Sequence, residues 1–573
     1  MNDETPRRLP ARRGFSVSYR GKTLLSLIDP SGQADRAADA APVLNRTLYF
    51  CPSPLYGYGL ARLLKRIGAG SAVLCVEADE QLMALALETM PAELRKDCRL
   101  QLVRTNDAAA LCRFVRDSWG SRRFRRLEML RLSGGWQSAP ELYENLAAAL
   151  RREMAVEWGN AMTLVKLGRR YIRNALRNLA LMGGGAASTE NLDYGSRPVL
   201  VLGAGPSLDA VLEGCAARFA ERLDPSRRPF KIICVDTALT SLKARNIEPD
   251  LAVALESQHW NLRDFIGLGA RKIPLAMDLS ALPAAAEFSG GGLFLFVTPW
   301  TELRLFDRLK AAGMFPEPFS PLGSVGLTAV ELARRLTRGS VILAGIDFSF
   351  TLDASHARSS PGHLALLAAQ NRFRSLISGG AFSPGSAAAA AKSGVPVRSN
   401  PAMRNYRSLF EQEFAADLRL RDITGPGLPL GLKTYSMDEA LDALDTARAG
   451  PGPDSIPAES KESVCAGRAA FSGGNRGHNP EMAAFVQKER KALVFLRDIL
   501  SGAAGPEAVS GEELETMLDE ADYLWAHFPE CAGAGGRRPA AADLSFLKRV
   551  RIELDPFIQL WDLVLKELSP SAN

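Results

Sequence analysis

No apolar run in the sequence approaches the roughly 20 residues that a helix needs to cross a bilayer, because the strand-like runs are broken by Gly, Asp or Pro. The opening stretch MNDETPRRLPARRG carries charges with no apolar segment behind them, so it does not read as a secretory signal. Together these absences give a cytoplasmic protein without membrane insertion as the expectation. Eight cysteines are present, yet no CxxC or Cys/His spacing joins them, which argues against a disulfide framework and against zinc. Several lie in apolar runs, as buried free thiols of a reducing compartment do. Charge of one sign is lacking too. With 70 basic and 64 acidic residues the net charge is +6, and bulk electrostatics does not argue for nucleic acid. Two local basic clusters, Arg122, Arg123, Arg125 and Arg126, then Arg169, Arg170, Arg173 and Arg177, read as solvated faces of amphipathic helices.

What remains is the composition of a soluble globular protein, 46% hydrophobic and 23% charged, and 573 residues suffice for two to four structural units. Over 14–135 a small α/β domain is expected. The run Thr47-Leu-Tyr-Phe-Cys51 leads through the turn Pro52-Ser-Pro-Leu-Tyr-Gly57-Tyr-Gly59 into the helical pattern from Leu60 to Ile67. A second strand then ends on Glu77, the order of a degenerate mononucleotide fold. Residues 136–190 read as a helical connector, with Leu142, Leu146, Leu150, Met154, Trp158, Met162 and Val165 at three-to-four-residue spacing.

Residues 191–445 alternate strands and helices more strongly. Six short aliphatic runs, 198–202, 230–235, 251–255, 273–277, 292–297 and 340–344, predict a Rossmann-like parallel sheet covered on both faces. Gly379 to Gly394, with its alanine run, reads as an insertion or a lid, 446–480 as a Gly-, Pro- and Ser-rich linker, and 481–573 as a helical domain. The fold class is therefore α/β, a central Rossmann-like domain flanked by a smaller N-terminal α/β domain and a C-terminal helical region.

Four constellations carry candidate chemistry. In Val199-Leu-Val-Leu-Gly203-Ala-Gly205-Pro206-Ser207-Leu208 a buried strand enters a glycine turn, with Pro206 read as the first helical residue. The helix start would then offer free N–H groups and a positive dipole end to a phosphate that side chains at 203 and 205 would obstruct. A purely structural turn is the alternative. Leu208 stands where a dinucleotide fingerprint needs its third glycine, which argues against NAD and FAD. Asp236 and Glu256 end the next two strands, on the rim where open α/β sheets bind ligands, although Asp236 can also be a helix cap. Gly323-Ser324-Val-Gly326-Leu-Thr328 precedes a helical pattern and offers a second anion-binding helix start, or an ordinary cap. Last, Gly345-Ile-Asp347-Phe ends a strand and His356-Ala-Arg358 follows. His356 is the candidate base, with His363 as competitor, Asp347 joins it as a catalytic candidate, and Arg358 is suited to a carboxylate or phosphate. No DxD-type acidic motif stands near the strand ends, so no metal is predicted.

GAGPSL at 203–208, GSVGLTAVELA at 323–333, and LAGIDFSF with HAR at 343–350 and 356–358 together resemble the motility accessory factor (Maf) family, whose middle domain is related to bacterial CMP-sialyltransferases. IDPSGQA at 28–34, SPLYGYGL at 53–60 and the segment from Asn405 to Gly431 extend the resemblance over about residues 15 to 440. It implies a transferase that moves a pseudaminic- or legionaminic-type nonulosonic acid from its CMP-activated donor to Ser or Thr of flagellin, with no tightly bound cofactor. It also implies that Gly203, Gly205, Pro206 and Ser207 hold the nucleotide and that Ser324 and Gly326 contact the CMP moiety. Asp236 stands where the sialyltransferases carry an asparagine. The central motif occurs in archaeal pterin pyrophosphokinases as well, so a pterin diphosphokinase is one alternative and a non-catalytic flagellin-binding chaperone another.

Overall fold

In the computed structural model, residues 5–120, 123–219, 224–269, 273–373, 375, 379, 381–445, 479–503, 509–532 and 543–569 are described. The segment read as a linker falls outside them over 446–478. The chain forms two units, residues 1–167 with 525–539, and residues 168–524 with 540–573.

The first unit is built on four parallel strands in the order Leu100–Arg104, Ala72–Glu77, Thr47–Pro52, Arg126–Met129. Every residue of the two inner strands is buried, as a parallel sheet with both faces covered requires. Leu60, Leu63 and Leu64 pack on one face, and Leu111, Val115, Leu146 and Leu150 on the other. Glu77, the strand-terminal acid, is wholly buried. Its Oε1 accepts from Tyr143 Oη and from the Asp79 amide, both at 3.0 Å, and burial holds its carboxyl above the ordinary range.

The connector reading corresponds to one helix, Pro140–Gly183, 44 residues long. Its residues up to 167 belong with the first unit and those from 168 with the second.

The second unit carries a ten-stranded sheet, and all of its pairings are parallel. Val199–Leu202 lies centrally, between Lys231–Val235 on one side and Val341–Ala344 on the other. From Val199–Leu202 the chain adds strands outward in one direction, through Leu251–Ala254, Leu275–Asp278 and Leu293–Val297 to Glu317–Pro318. It then returns to the opposite flank with Val341–Ala344, Leu420–Ile423 and Thr434–Tyr435. Connections that leave a central strand pair in opposite directions open a crevice at the strands' carboxyl ends. All six expected runs are strands. Leu420–Ile423 was not expected, because its Arg and Asp break the apolar pattern. The stretch read as an insertion or lid contributes the first strand of an antiparallel hairpin, Ala387–Ala390, which pairs with Pro396–Ser399 just beyond it. The helices Pro480–Leu500 and Leu544–Leu568 pack on each other and belong to this unit.

Candidate active site

The glycine turn after Val199–Leu202 is folded onto the turn after Val341–Ala344. The Gly203 amide donates to Ala344 O at 2.8 Å, and the Gly205 amide to Gly345 O at 2.7 Å. A Cβ at 203 would come within 2.3 Å of Gly345 O, and one at 205 within 2.4 Å of Asp347 Oδ2. Gly345 has φ +68°, and its own Cβ would meet Gly203 O at 2.5 Å. The close approach of the chain itself thus requires glycine at 203 and 205, and both also line the cavity described below.

Asp347 completes this junction. Its Oδ2 accepts from the Ser207 amide at 2.7 Å and its Oδ1 from Ser207 Oγ at 2.6 Å, while Ser207 Oγ accepts from the Gly345 amide at 3.1 Å. A carboxylate therefore occupies the start of the helix Leu208–Arg218, the seat expected for a phosphate, where N–H groups and the helix dipole favour negative charge. Pro206 lies in the turn two residues ahead of the first helical residue, Leu208, and is not itself the first helical position. With both oxygens hydrogen-bonded, Asp347 is fixed against the start of that helix while it also lines the cavity.

The second predicted helix start is the open one. A cavity of about 220 Å³ at the carboxyl ends of the central strands is lined by Gly203 to Gly205, Val235, Thr237, Ser324 to Gly326, Gly345 to Phe350, Ser355, His356 and Met403. Ser324 precedes the helix Val325–Leu336, and its hydroxyl makes no cap bond. Among the described residues the amides of Val325 and Gly326 have no hydrogen-bond partner. A Cβ at Gly326 would approach nothing closer than 3.6 Å, so its bareness leaves room on the cavity wall. Thr328, expected to bind the donor, is 1% exposed and turns its Oγ1 to Ser324 O at 3.2 Å, closing the first helical turn instead.

His356 lines the same cavity, its Nδ1 3.2 Å from Ser355 Oγ. Burial, with Arg263 and His363 adding positive charge nearby, lowers its pKa and keeps the ring neutral and basic at pH 7. His363 is buried in the helix Pro361–Ala369 and does not line the cavity, so geometry favours His356.

Three expected ligand-binding residues stand apart. Arg358 is exposed and pairs with Asp353 at 3.4 Å, while its amide donates to Asp209 Oδ2. Glu256 is exposed, and its Oε1 accepts from the Gln258 amide at 2.9 Å. Asp236 is buried behind Val235 and Thr237; it accepts from the Thr237 amide at 2.8 Å and from Asn261 Nδ2 at 2.7 Å. Burial, reinforced by Asp264, pushes its pKa up to about 7. Both Asp236 oxygens thus have donors within the fold, and the side chain is 3% exposed and does not line the cavity.

The motif reading missed a buried pair under this site. Lys392 Nζ lies 2.6 Å from Asp422 Oδ1, both side chains 2% exposed, and the Lys392 amide donates to Gly427 O at 2.8 Å. Asp422 is raised to about 6 by burial, which Lys392 opposes and the charge of Asp347 reinforces. A Cβ at Gly427 would fall 2.8 Å from Asp347 Oδ1 and 3.2 Å from Lys392 Cε, so the loop after Leu420–Ile423 seals the junction from behind. The Gly-Pro-Gly of 425–427 was the available signal.

Residues 173–353, which include most of this site, match the family described as 6-hydroxymethylpterin diphosphokinase MptE-like. An uncharacterized protein of Treponema pallidum (strain Nichols) is 29% identical over 560 residues, 97% of this chain and 95% of that protein. Among solved structures, the MAf glycosyltransferase from Magnetospirillum magneticum AMB-1 matches with a TM-score of 0.57 over 98% of this chain and 90% of that one, at 15% identity. The chain has the Maf glycosyltransferase fold. The likeness first read from GAGPSL, GSVGLTAVELA and LAGIDFSF is borne out at that level.

Proposed function

We propose that this protein is a glycosyltransferase that moves a nonulosonic acid from a CMP-activated donor to Ser or Thr hydroxyls of flagellin in the cytoplasm. The observation that carries the reading is the cavity at the central strands' carboxyl ends, lined both by Val325 and Gly326, whose amides are unpartnered among the described residues, and by the neutral His356. The likeness to a Maf glycosyltransferase supports it. In the reaction the acceptor oxygen bonds to the anomeric carbon of the sugar. The bond from that carbon to the phosphate oxygen breaks, and CMP leaves with the electron pair. His356 takes the hydroxyl proton, and Nε2 is the nitrogen free for it, since Nδ1 faces Ser355. The amides at the start of Val325–Leu336 stabilise charge gathering on the departing phosphate.

Incubation of the purified chain with flagellin and a CMP-nonulosonate tests this by intact mass. Addition of one sugar mass per modified site, with CMP released in equal amount, is the expected result. Unchanged flagellin mass despite binding defeats the reading and leaves a chaperone-like role. The MptE-like match favours a second reading, pyrophosphate transfer from ATP to 6-hydroxymethylpterin. AMP formation that depends on the pterin would establish that reading in place of the first.

A further inference from the structure

Between Glu157 and Glu190 the sequence contains no acidic residue, while Lys166, Arg169, Arg170, Arg173 and Arg177 all fall within that stretch. In an isolated helix such spacing is unfavourable, because like charges three and four residues apart repel. Within the second unit Arg169 is relieved by Glu553, at 2.8 Å. Arg170, Arg173 and Arg177 are exposed, and among the described residues none of them has an ion-pair or hydrogen-bond partner. Other arginines of the unit are tied to acids, as Arg308 is to Glu489 and Arg334 to Asp417.

The adjoining face of the same helix is tied to the sheet by side-chain hydrogen bonds. Asn174 Nδ2 donates to Ser257 O and to Ser280 O, both at 3.0 Å, and Asn178 Nδ2 to Leu279 O and Ala281 O, both at 2.9 Å. Those carbonyls follow the carboxyl ends of Leu251–Ala254 and Leu275–Asp278, so the helix is fixed along the sheet edge that holds the cavity. A row of unpaired guanidiniums on a fixed support collects negative charge and orients it by long-range attraction.

We infer that Arg170, Arg173 and Arg177 form the docking surface for an acidic segment of the acceptor polypeptide, presenting its hydroxyls to the cavity. The identity of the partner as acceptor rests on the transferase reading, whereas the preference for an acidic peptide does not. A fluorescein-labelled Glu- and Ser-rich peptide, titrated against the full chain and followed by anisotropy, is the test. Binding should weaken steeply as salt rises. It should fall about tenfold or more in the Arg170→Glu, Arg173→Glu, Arg177→Glu triple variant, since each exposed pair contributes a modest amount. CMP affinity should be unchanged in that variant, which also establishes that it is folded. Should the triple variant fail to fold, Arg173→Glu alone should still reduce peptide affinity a few fold. The inference is overturned if the peptide does not bind, if charge reversal leaves its affinity unaltered, or if only anionic vesicles or RNA are retained. Peptide binding without CMP-sugar turnover would instead defeat the transferase reading and leave this surface standing.

Discussion

Two glycines of the site do opposite work, and substitution separates them. Gly205→Ala places a methyl 2.4 Å from the Asp347 carboxylate, so a loss of about 1–3 kcal/mol in urea unfolding is expected. Gly326→Val has room at the position itself and should fold; the side chain shields the open amides, so CMP affinity should fall about tenfold or more by calorimetry. His356→Gln should lower turnover by about two to four orders of magnitude while CMP still binds. Because its pKa lies below the ordinary imidazole value, the acid limb of the wild-type rate profile should lie below pH 6.5 and vanish in the variant. The same shift acts on stability. Below pH 6.5 the unfolded imidazole takes up a proton before the folded one does, so acidification through that interval favours unfolding. Asp347→Asn should weaken folding by about 1.5–3 kcal/mol, as expected for loss of a charged hydrogen-bond acceptor, without moving that limb. A moved limb would identify Asp347 as a proton carrier after all.

At the scale of elements, the strands carried by uninterrupted aliphatic runs were legible, because a parallel strand covered on both faces needs no polar alternation. Leu420–Ile423 escaped that logic since its Asp422 is neutralised by Lys392, 30 residues earlier in the chain and invisible to any local pattern. The same blindness affected the glycine turn: strand, glycines and helix were read correctly, but not the carboxylate that fills the helix start from 140 residues away. Lys392→Met isolates the Asp422 charge and should cost about 3–5 kcal/mol. Asp422 titrates at about 6, above its ordinary value, so the folded state holds that proton more tightly than the unfolded one and gains stability as pH falls from there toward 4. The deficit of Lys392→Met should accordingly be largest above pH 6 and shrink on acidification, measured by urea unfolding at pH 5 and pH 8. A deficit independent of pH would mean that Asp422 does not bear the cost.

For the whole molecule, parallel strand pairing and long helices dictate an α/β architecture of two units, and the central sheet's reversal of strand order dictates where its crevice opens. Of the helix starts beside that crevice, that of Leu208–Arg218 already receives the chain's own carboxylate, whereas Ser324, Val325 and Gly326 at the start of the other line the cavity. On the proposed transferase reading, one such helix start on the cavity suits a leaving group that carries one phosphate. UDP- and GDP-linked sugars, with two, would leave the second without a seat, and they should fail both as substrates and as competitors of CMP.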